Sequence, residues 1–148
     1  MKHATHLIFL LAMALAALPL HAATPAAINS LFDGRFNDTP GARITMMENG
    51  RLGKQSVRVF KSLSIENPDN DCASEIETAV KRDGVAATSR EVQFRDGKLY
   101  YGFYTFPDKN KTHRYLLYLN QIPAGGTQLI LIYIESSLSA KQIRELLK

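Results

Sequence analysis

The chain has 148 residues, 45% of them hydrophobic and 22% charged, and a formal net charge of +4. This balance is typical of a single folded domain and excludes a disordered tail. The lysines and arginines are scattered among acidic residues, which excludes the basic stripe that neutralises nucleic-acid phosphates. We therefore expect a globular protein that has no nucleic acid among its partners.

The first 22 residues have the layout of a secretory signal peptide. Lys2 precedes an apolar run over residues 7–20, and the small residues Ala22 and Ala23 follow it. The run is about 14 residues long, shorter than the ~20 that a membrane-spanning helix needs. We expect cleavage after Ala22 or Ala23, which leaves one domain at 23–148, periplasmic or secreted, without a membrane span.

Cys72 is the only cysteine of the chain. It lies far from the predicted cleavage site, so no thiol is available there for a lipid anchor. A single cysteine cannot form an internal disulfide in an oxidising compartment. Free cysteines are commonly buried, and we interpret Cys72 as a small apolar residue near a helix start. An intermolecular bridge or a reactive thiol is the alternative.

A short helix and a β-hairpin are predicted first in the chain. Apolar residues recur at helical spacing over 26–36, and alternation over 42–48 and 57–65 predicts two strands. Between these strands, Asn49-Gly50 favours a tight hairpin turn, because both residues tolerate the positive φ angles that it requires. The spacer that follows predicts a long loop or a bulge near Gly53.

A second helix is predicted over 72–82. The side chains of 67–71 offer several caps for its first turn, and Lys81 and Arg82 suit the negative end of the helix dipole. Asp83-Gly84 is typical of a helix terminator.

Four further strands are predicted to form an antiparallel meander. Asp96-Gly97 is the strongest hairpin signal, and a turn centred there pairs Phe94 with Leu99 and Val92 with Tyr101. The last strand is apolar on both faces, so helices or a partner subunit must cover both sides of the sheet. The four strands are 85–94, 98–106, 112–120 and 129–134.

Ser139 and Gln142 lie at capping-box spacing, and Leu138 and Ile143 can form a hydrophobic staple. They predict a last helix from about Ala140 onward, which must be docked because so short a helix is marginal alone in water. The fold class is therefore α+β. An antiparallel sheet, made of a β-meander of about four strands plus an N-terminal hairpin, packs with two to three helices.

Residues suited to metal or nucleophilic chemistry are few. His113 is the one histidine left after cleavage, whereas a zinc site gathers three or four His, Cys or carboxylate ligands. A Cys72–His113 nucleophile pair is formally possible, but no family-specific sequence surrounds either residue. Asp69 and Asp71 are explained by helix capping, since the glycine and the glutamate of a calcium loop are missing. We predict no catalytic residue, no metal and no cofactor.

The tyrosines provide the candidate binding residues. Tyrosines on neighbouring strands could present an aromatic face to a glycan, a peptide or a second subunit. The alternative is that they are ordinary core and rim residues, and a one-residue slip in register would exchange the faces. The candidate binding residues are Tyr100, Tyr104, Tyr115, Tyr118 and His113.

Residues 96–100, 114–118 and 129–135, which run into 138–147, resemble small secreted bacterial proteins, especially from Bacteroides-type bacteria, that are catalogued as domains of unknown function. The resemblance follows the order of elements through the mature chain. It implies an exported α+β domain with no established activity, and it assigns no functional residues.

Our hypothesis is an exported, non-catalytic binding or interaction module that uses one face of its sheet and can form a homodimer. Its ligand would be an unidentified protein, peptide or glycan. One alternative is a small periplasmic hydrolase that uses carboxylates with His113. The other is an inhibitor of a secreted enzyme, which would use the irregular loops at 51–56 and 108–111.

Overall fold

The computed structural model describes residues 25–148, so the predicted signal peptide lies outside the described residues. The α+β fold class is confirmed, as is the division into a hairpin, a meander and three helices. In chain order the elements are α1 (Ala26–Ser30), β1 (Ala42–Leu52), β2 (Gln55–Glu66), α2 (Asn70–Gly84), β3 (Ser89–Arg95), β4 (Lys98–Lys109), β5 (Thr112–Asn120), a 3-10 helix (Ile122–Ala124), β6 (Gln128–Ser136) and α3 (Ala140–Leu146).

All six strands form one antiparallel sheet in the order β1-β2-β6-β5-β4-β3. The meander runs from β3 to β6, and the hairpin joins it because β2 pairs with β6, with Leu63 opposite Leu131. β6 therefore lies inside the sheet, while β1 and β3 are its two edges.

The two faces of the sheet differ in their cover. On what we call the first face, α1 and α2 pack over Leu63, Leu129 and Leu131 to form the larger core. On the second face, Ile143 of α3 packs with Ile134 in a smaller cluster. The prediction that β6 needs cover on both sides is confirmed, but α3 is short and leaves part of the second face open.

α3 begins at Ala140, as predicted. The Ser139 hydroxyl accepts the Gln142 N–H at 3.2 Å, and the Gln142 side chain accepts the Ser139 N–H at 2.9 Å. The capping box is therefore confirmed. Ile143 is fully buried, and this burial docks a helix that would be marginal alone in water.

The Asp96-Gly97 turn is confirmed, since both residues have positive φ angles of 51° and 73°. Phe94 pairs with Leu99 as predicted, but the register then shifts. Tyr100 is an extra residue of β4, so Val92 lies opposite Gly102 and the predicted Val92–Tyr101 pair is wrong. Turn chemistry determines only the first pairs of a hairpin, and a bulge beyond them changes every later pair.

The Asn49-Gly50 turn prediction is wrong. β1 continues to Leu52, and a two-residue turn at Gly53-Lys54 brings Leu52 opposite Gln55. Gly53 has a φ of 57° and supplies the positive φ that the first position of such a turn needs. The longer hairpin gains backbone pairs and lets Leu52 and Val57 join the second-face cluster.

The irregular loops expected at 51–56 and 108–111 are also wrong. Strand pairing continues through both segments up to tight turns, at Gly53-Lys54 and at Asn110-Lys111. Asn110 and Lys111 adopt positive φ angles of 52° and 61°, which close β4 and β5 in a short hairpin. The inhibitor hypothesis thus loses the long loops on which it was based.

Asp83, in the last turn of α2, links α2 to α1 through hydrogen bonds. Its carboxylate accepts the N–H groups of Ala27 at 3.4 Å and Ile28 at 2.6 Å, in the first turn of α1. α2 continues through Gly84, and α1 ends at Ser30, so the predicted helices 72–82 and 26–36 have the wrong ends. Turns after Ser30 still bury the apolar residues of that segment.

Asp83→Ala is expected to lower the free energy of unfolding by about 1–2 kcal/mol, because two N–H groups of α1 lose their acceptor. Hydrogen exchange should become faster in α1 before the rest of the chain. Asp83→Asn keeps an oxygen acceptor and should cost less, and Asp38→Ala, at an exposed turn residue, is the control. Unchanged exchange in α1 would contradict this role of Asp83.

Candidate functional site

The predicted binding tyrosines do not share a surface. Tyr104 and Tyr118 are buried in the first-face core, whereas Tyr115 is buried on the second face. The Tyr115 hydroxyl donates a hydrogen bond to the Leu138 carbonyl at 2.8 Å. Burial raises the pKa of all three phenols above the ordinary value. These three side chains therefore support the core and do not offer a ring face to a ligand.

Tyr100 is half-buried, at the bulge of β4. The Arg95 guanidinium carbon lies 4.9 Å from the centroid of its ring, so one face of Tyr100 carries a cation–π contact. This places Tyr100 beside the β3 edge, apart from the other predicted tyrosines.

His113 forms an ion pair at the start of β5. Its Nδ1 lies 2.9 Å from Oδ1 of Asp108, and both side chains are exposed. Within residues 25–148, no serine, threonine or cysteine donates a hydrogen bond to the His113 ring. The arrangement holds a histidine and an acid together, but it lacks the nucleophile of a hydrolytic triad.

Cys72 lies on the other side of the sheet, where it packs against the first-face core. The Asp69 carboxylate accepts the Cys72 N–H at 2.7 Å, so the capping interpretation of Asp69 is confirmed. Burial raises the pKa of the Cys72 thiol, and the charges of Asp69 and Glu75 act in the same direction. The structure therefore does not bring Cys72 and His113 together.

The open part of the second face has a mainly apolar concave surface. Side chains of β4, β5 and α3 enclose a groove of about 310 Å³, which we call the α3 groove. Strand pairing aligns its wall, with Phe103 opposite Leu117 and Tyr101 opposite Leu119. The lining residues are Tyr101, Phe103, Leu117, Leu119, Arg144, Leu147 and Lys148.

Both cations at the rim of the α3 groove are already paired. Arg144 Nη2 lies 2.8 Å from Glu91 Oε2, and its guanidinium carbon lies 4.5 Å from the centroid of the Phe103 ring. Lys148 Nζ lies 2.8 Å from Glu145 Oε1. Because each positive charge has an acidic partner, the groove favours an apolar ligand over an acidic one.

Two of the larger clefts have a more polar lining than the α3 groove. One, of about 430 Å³ between α1 and α2, contains Arg35, which pairs with Asp33 at 3.0 Å and with Glu75 at 2.6 Å. The hydrogen bonds from Arg35 hold the pKa of the Asp33 carboxyl below its usual range. The other, of about 560 Å³, lies beside the tip of the β1–β2 hairpin and contains Arg51 and Arg58. Neither has the apolar lining of the α3 groove.

Within the described chain, no three or more His, Cys, Asp or Glu side chains come close enough together to hold a metal ion. Over residues 25–148, none of the helices has both the length and the apolar character needed to cross a bilayer.

The sequence-based prediction missed the α3 groove because it rested on the tyrosines. The available signal was parity, since Leu117 and Leu119 fall on the same side of β5 while the buried Leu116 and Tyr118 fall on the other. Only the path of α3 shows that Leu117 and Leu119 stay half-buried beside a groove.

Comparison with curated proteins gives no match, and comparison with solved structures gives none either. The resemblance to domains of unknown function is confirmed by a family model that matches residues 15–147. The chain belongs to that family, which is described as a family of unknown function (DUF6108).

Proposed function

We propose that this chain is an exported, non-catalytic binding module that holds an apolar segment of a peptide or partner protein in the α3 groove. The observation that carries the proposal is the row of apolar side chains beside α3, in which Tyr101 of β4 and Leu117 and Leu119 of β5 stay half-buried and line a groove. Contiguous apolar surface of this kind, bordered by polar residues, commonly marks an interaction site.

The size and charge of the groove define the ligand class. About 310 Å³ lies at the lower end of the range of ligand pockets, so a few apolar side chains fit and a large cofactor does not. The neutralised rim offers no free charge for an acidic group. A glycan would need an open aromatic platform, and Tyr101 is the one groove aromatic that is not buried.

A neutral dye that fluoresces in apolar surroundings, N-phenyl-1-naphthylamine, tests the site. We expect the wild-type protein to bind the dye and Leu119→Lys to weaken binding at least tenfold, because the ammonium group enters the apolar wall. Thr45→Lys adds the same charge at an exposed position of β1 and should leave dye binding unchanged. Equal dye binding by the wild type and Leu119→Lys would contradict the proposal.

Displacement of the dye then identifies the ligand class. Displacement by apolar peptides from a display library supports a peptide or protein ligand. Displacement by fatty acids alone, or by oligosaccharides alone, would overturn the peptide assignment and keep the groove as a site for that other class.

The hydrolase alternative rests on the His113–Asp108 pair. It predicts that His113→Ala hydrolyses p-nitrophenyl acetate more slowly than the wild-type protein, whereas Lys111→Ala keeps the wild-type rate. Equal rates for the wild type and His113→Ala would remove this alternative.

A further inference from the structure

β3 is an edge strand whose outer side has no partner within the described chain. All of its residues, from Ser89 to Arg95, are exposed. The tight turn makes Arg95 and Lys98 the hydrogen-bonded pair, and hydrogen-bonded positions alternate along an antiparallel strand. The N–H and C=O groups of Arg90, Val92 and Phe94 therefore point away from β4. Such an edge is a template for pairing with another strand.

Two exposed hydrophobic side chains, Val92 and Phe94, lie on this edge strand, and Val85 lies at the end of α2 shortly before it in the chain. Of the five large hydrophobic residues that are most exposed in the described chain, three are Val85, Val92 and Phe94, with exposures of 78%, 38% and 58%. Val92 and Phe94 project from the same face of β3, and Lys81 Nζ lies 5.7 Å from the centroid of the Phe94 ring. A partner that covered β3 would bury both residues.

The sequence of β3 is complementary to itself in one antiparallel register. If a two-fold axis passes through Gln93, Val92 of one copy lies opposite Phe94 of the other, and Glu91 lies opposite Arg95. Apolar side chains then meet on one face. On the other face Arg95 of each copy lies opposite Glu91 of the second copy, and this carboxylate also pairs with Arg144 of its own chain at 2.8 Å. The backbone groups of Val92 and Phe94 face each other across the axis and form hydrogen-bonded pairs. Shifting the axis to Val92 places Arg90 opposite Phe94 and leaves Glu91 opposite Gln93, so the charged pair is lost.

We infer that the protein forms a homodimer in which two β3 strands pair antiparallel about a two-fold axis at Gln93. The six-stranded sheets of two copies then join into one continuous sheet. Isologous contacts of this kind close on themselves, so the association stops at two copies. Tyr101 lies next to Gln93 on β4, and the two α3 grooves therefore lie on the same face of the joined sheet, on either side of the seam.

The β1 edge is less suited to the same pairing. Asn49 interrupts β1 with a φ of 49°, and such a residue disturbs the regular row of donors and acceptors. Met46 is the one large hydrophobic residue of β1 among the most exposed, whereas β3 has two. The second copy is therefore assigned to β3.

Disulfide trapping tests the position of the axis. In a Cys72→Ser background, Gln93→Cys places two thiols directly opposite each other in a non-hydrogen-bonded pair, where Cα atoms are about 4.5 Å apart and a disulfide can form. Val92→Cys places its two thiols on a diagonal, where the separation of about 7–8 Å is too long. We expect mild oxidation to cross-link Gln93→Cys and not Val92→Cys. The reverse pattern, or no cross-link in either variant, would overturn the inference.

Charge exchange gives an independent measurement on uncross-linked protein. Glu91→Arg and Arg95→Glu should each raise the dimer dissociation constant at least tenfold in sedimentation equilibrium, because like charges then face each other. The double variant restores opposite charges and should recover most of the affinity, whereas Thr45→Arg on β1 should have no effect. A wild-type protein that stays monomeric, or a double variant no tighter than the singles, would refute the dimer. Because Glu91 pairs with Arg144 at the rim of the α3 groove, dye binding is compared only between the wild type, Leu119→Lys and Thr45→Lys, so the two proposals can fail independently.

Discussion

Arg114→Met is expected to lower the free energy of unfolding by about 3–5 kcal/mol, because it removes a buried guanidinium that lies across the strand pair from a buried carboxylate. Arg114 is 0% exposed and Glu135 is 8% exposed, and the two residues lie opposite each other on β5 and β6. Arg114 Nε also donates a hydrogen bond to the Pro107 carbonyl at 2.7 Å. The substitution leaves a buried carboxylate without the neighbouring cation. Urea unfolding at pH 7 measures the loss.

A second variant separates charge from packing. Arg114→Met combined with Glu135→Gln removes both charges, so it should be more stable than Arg114→Met alone by about 1–2 kcal/mol. Arg43→Met, at an exposed position of β1, is the matched control and should change stability by less than about 0.5 kcal/mol. If the double variant lost as much stability as the two single variants together, the charges of Arg114 and Glu135 would not be coupled.

The folded protein is expected to lose stability as the pH rises from about 10 to above 12. Burial, followed by the nearby charge of Glu135, raises the pKa of Tyr133 to about 12, whereas an ordinary tyrosine has a pKa of 10.0. The neutral phenol is therefore favoured in the folded state. This contribution to stability is complete below the pKa that Tyr133 has in the unfolded chain. It is lost as the pH rises past the pKa that Tyr133 has in the folded protein, and the loss from this group is about 3 kcal/mol. Burial raises the pKa of Tyr118 in the same direction.

Urea unfolding at a series of pH values from 8 to 12 checks this expectation. Lysines also titrate in this range, so the informative quantity is the difference between the wild type and Tyr133→Phe. The variant keeps the ring and removes the titrating hydroxyl, and its stability should fall less steeply above pH 10. Tyr100→Phe removes a half-buried hydroxyl and provides the control. Parallel curves for the wild type and Tyr133→Phe would contradict the role of Tyr133.

Local signals predicted those features whose cause lies within a few residues. The Asp96-Gly97 turn, the Ser139 capping box and the Asp69 cap were all readable, because each depends on φ preferences or on a hydrogen bond between near neighbours. The pattern of β6 was informative for the same reason. Apolar residues on both faces of β6 predict an internal strand, because each face then needs cover from another part of the protein.

The predictions were wrong where contacts between distant parts of the chain outweigh the local preferences of a segment. Asn49-Gly50 has the composition of a turn, yet pairing with β2 and packing of Leu52 on the second face extend β1 beyond it. The Tyr100 bulge shifts the register of β3 against β4, and no turn residue indicates this shift. Tyrosine spacing likewise could not tell exposed rings from buried ones, because exposure depends on which helices cross each face.

The sequence by itself determined the α+β class, the order of elements and the internal place of β6, since these follow from hydrophobic period and from turn and cap chemistry acting over short distances. The tertiary structure alone decided that Asp83 holds α1, that Tyr104 and Tyr118 lie in the core, and that α3 stops short of Leu119. The physical reason is that cover and exposure are properties of packed surfaces. They depend on where a short helix ends over a sheet made from strands that are far apart in the chain.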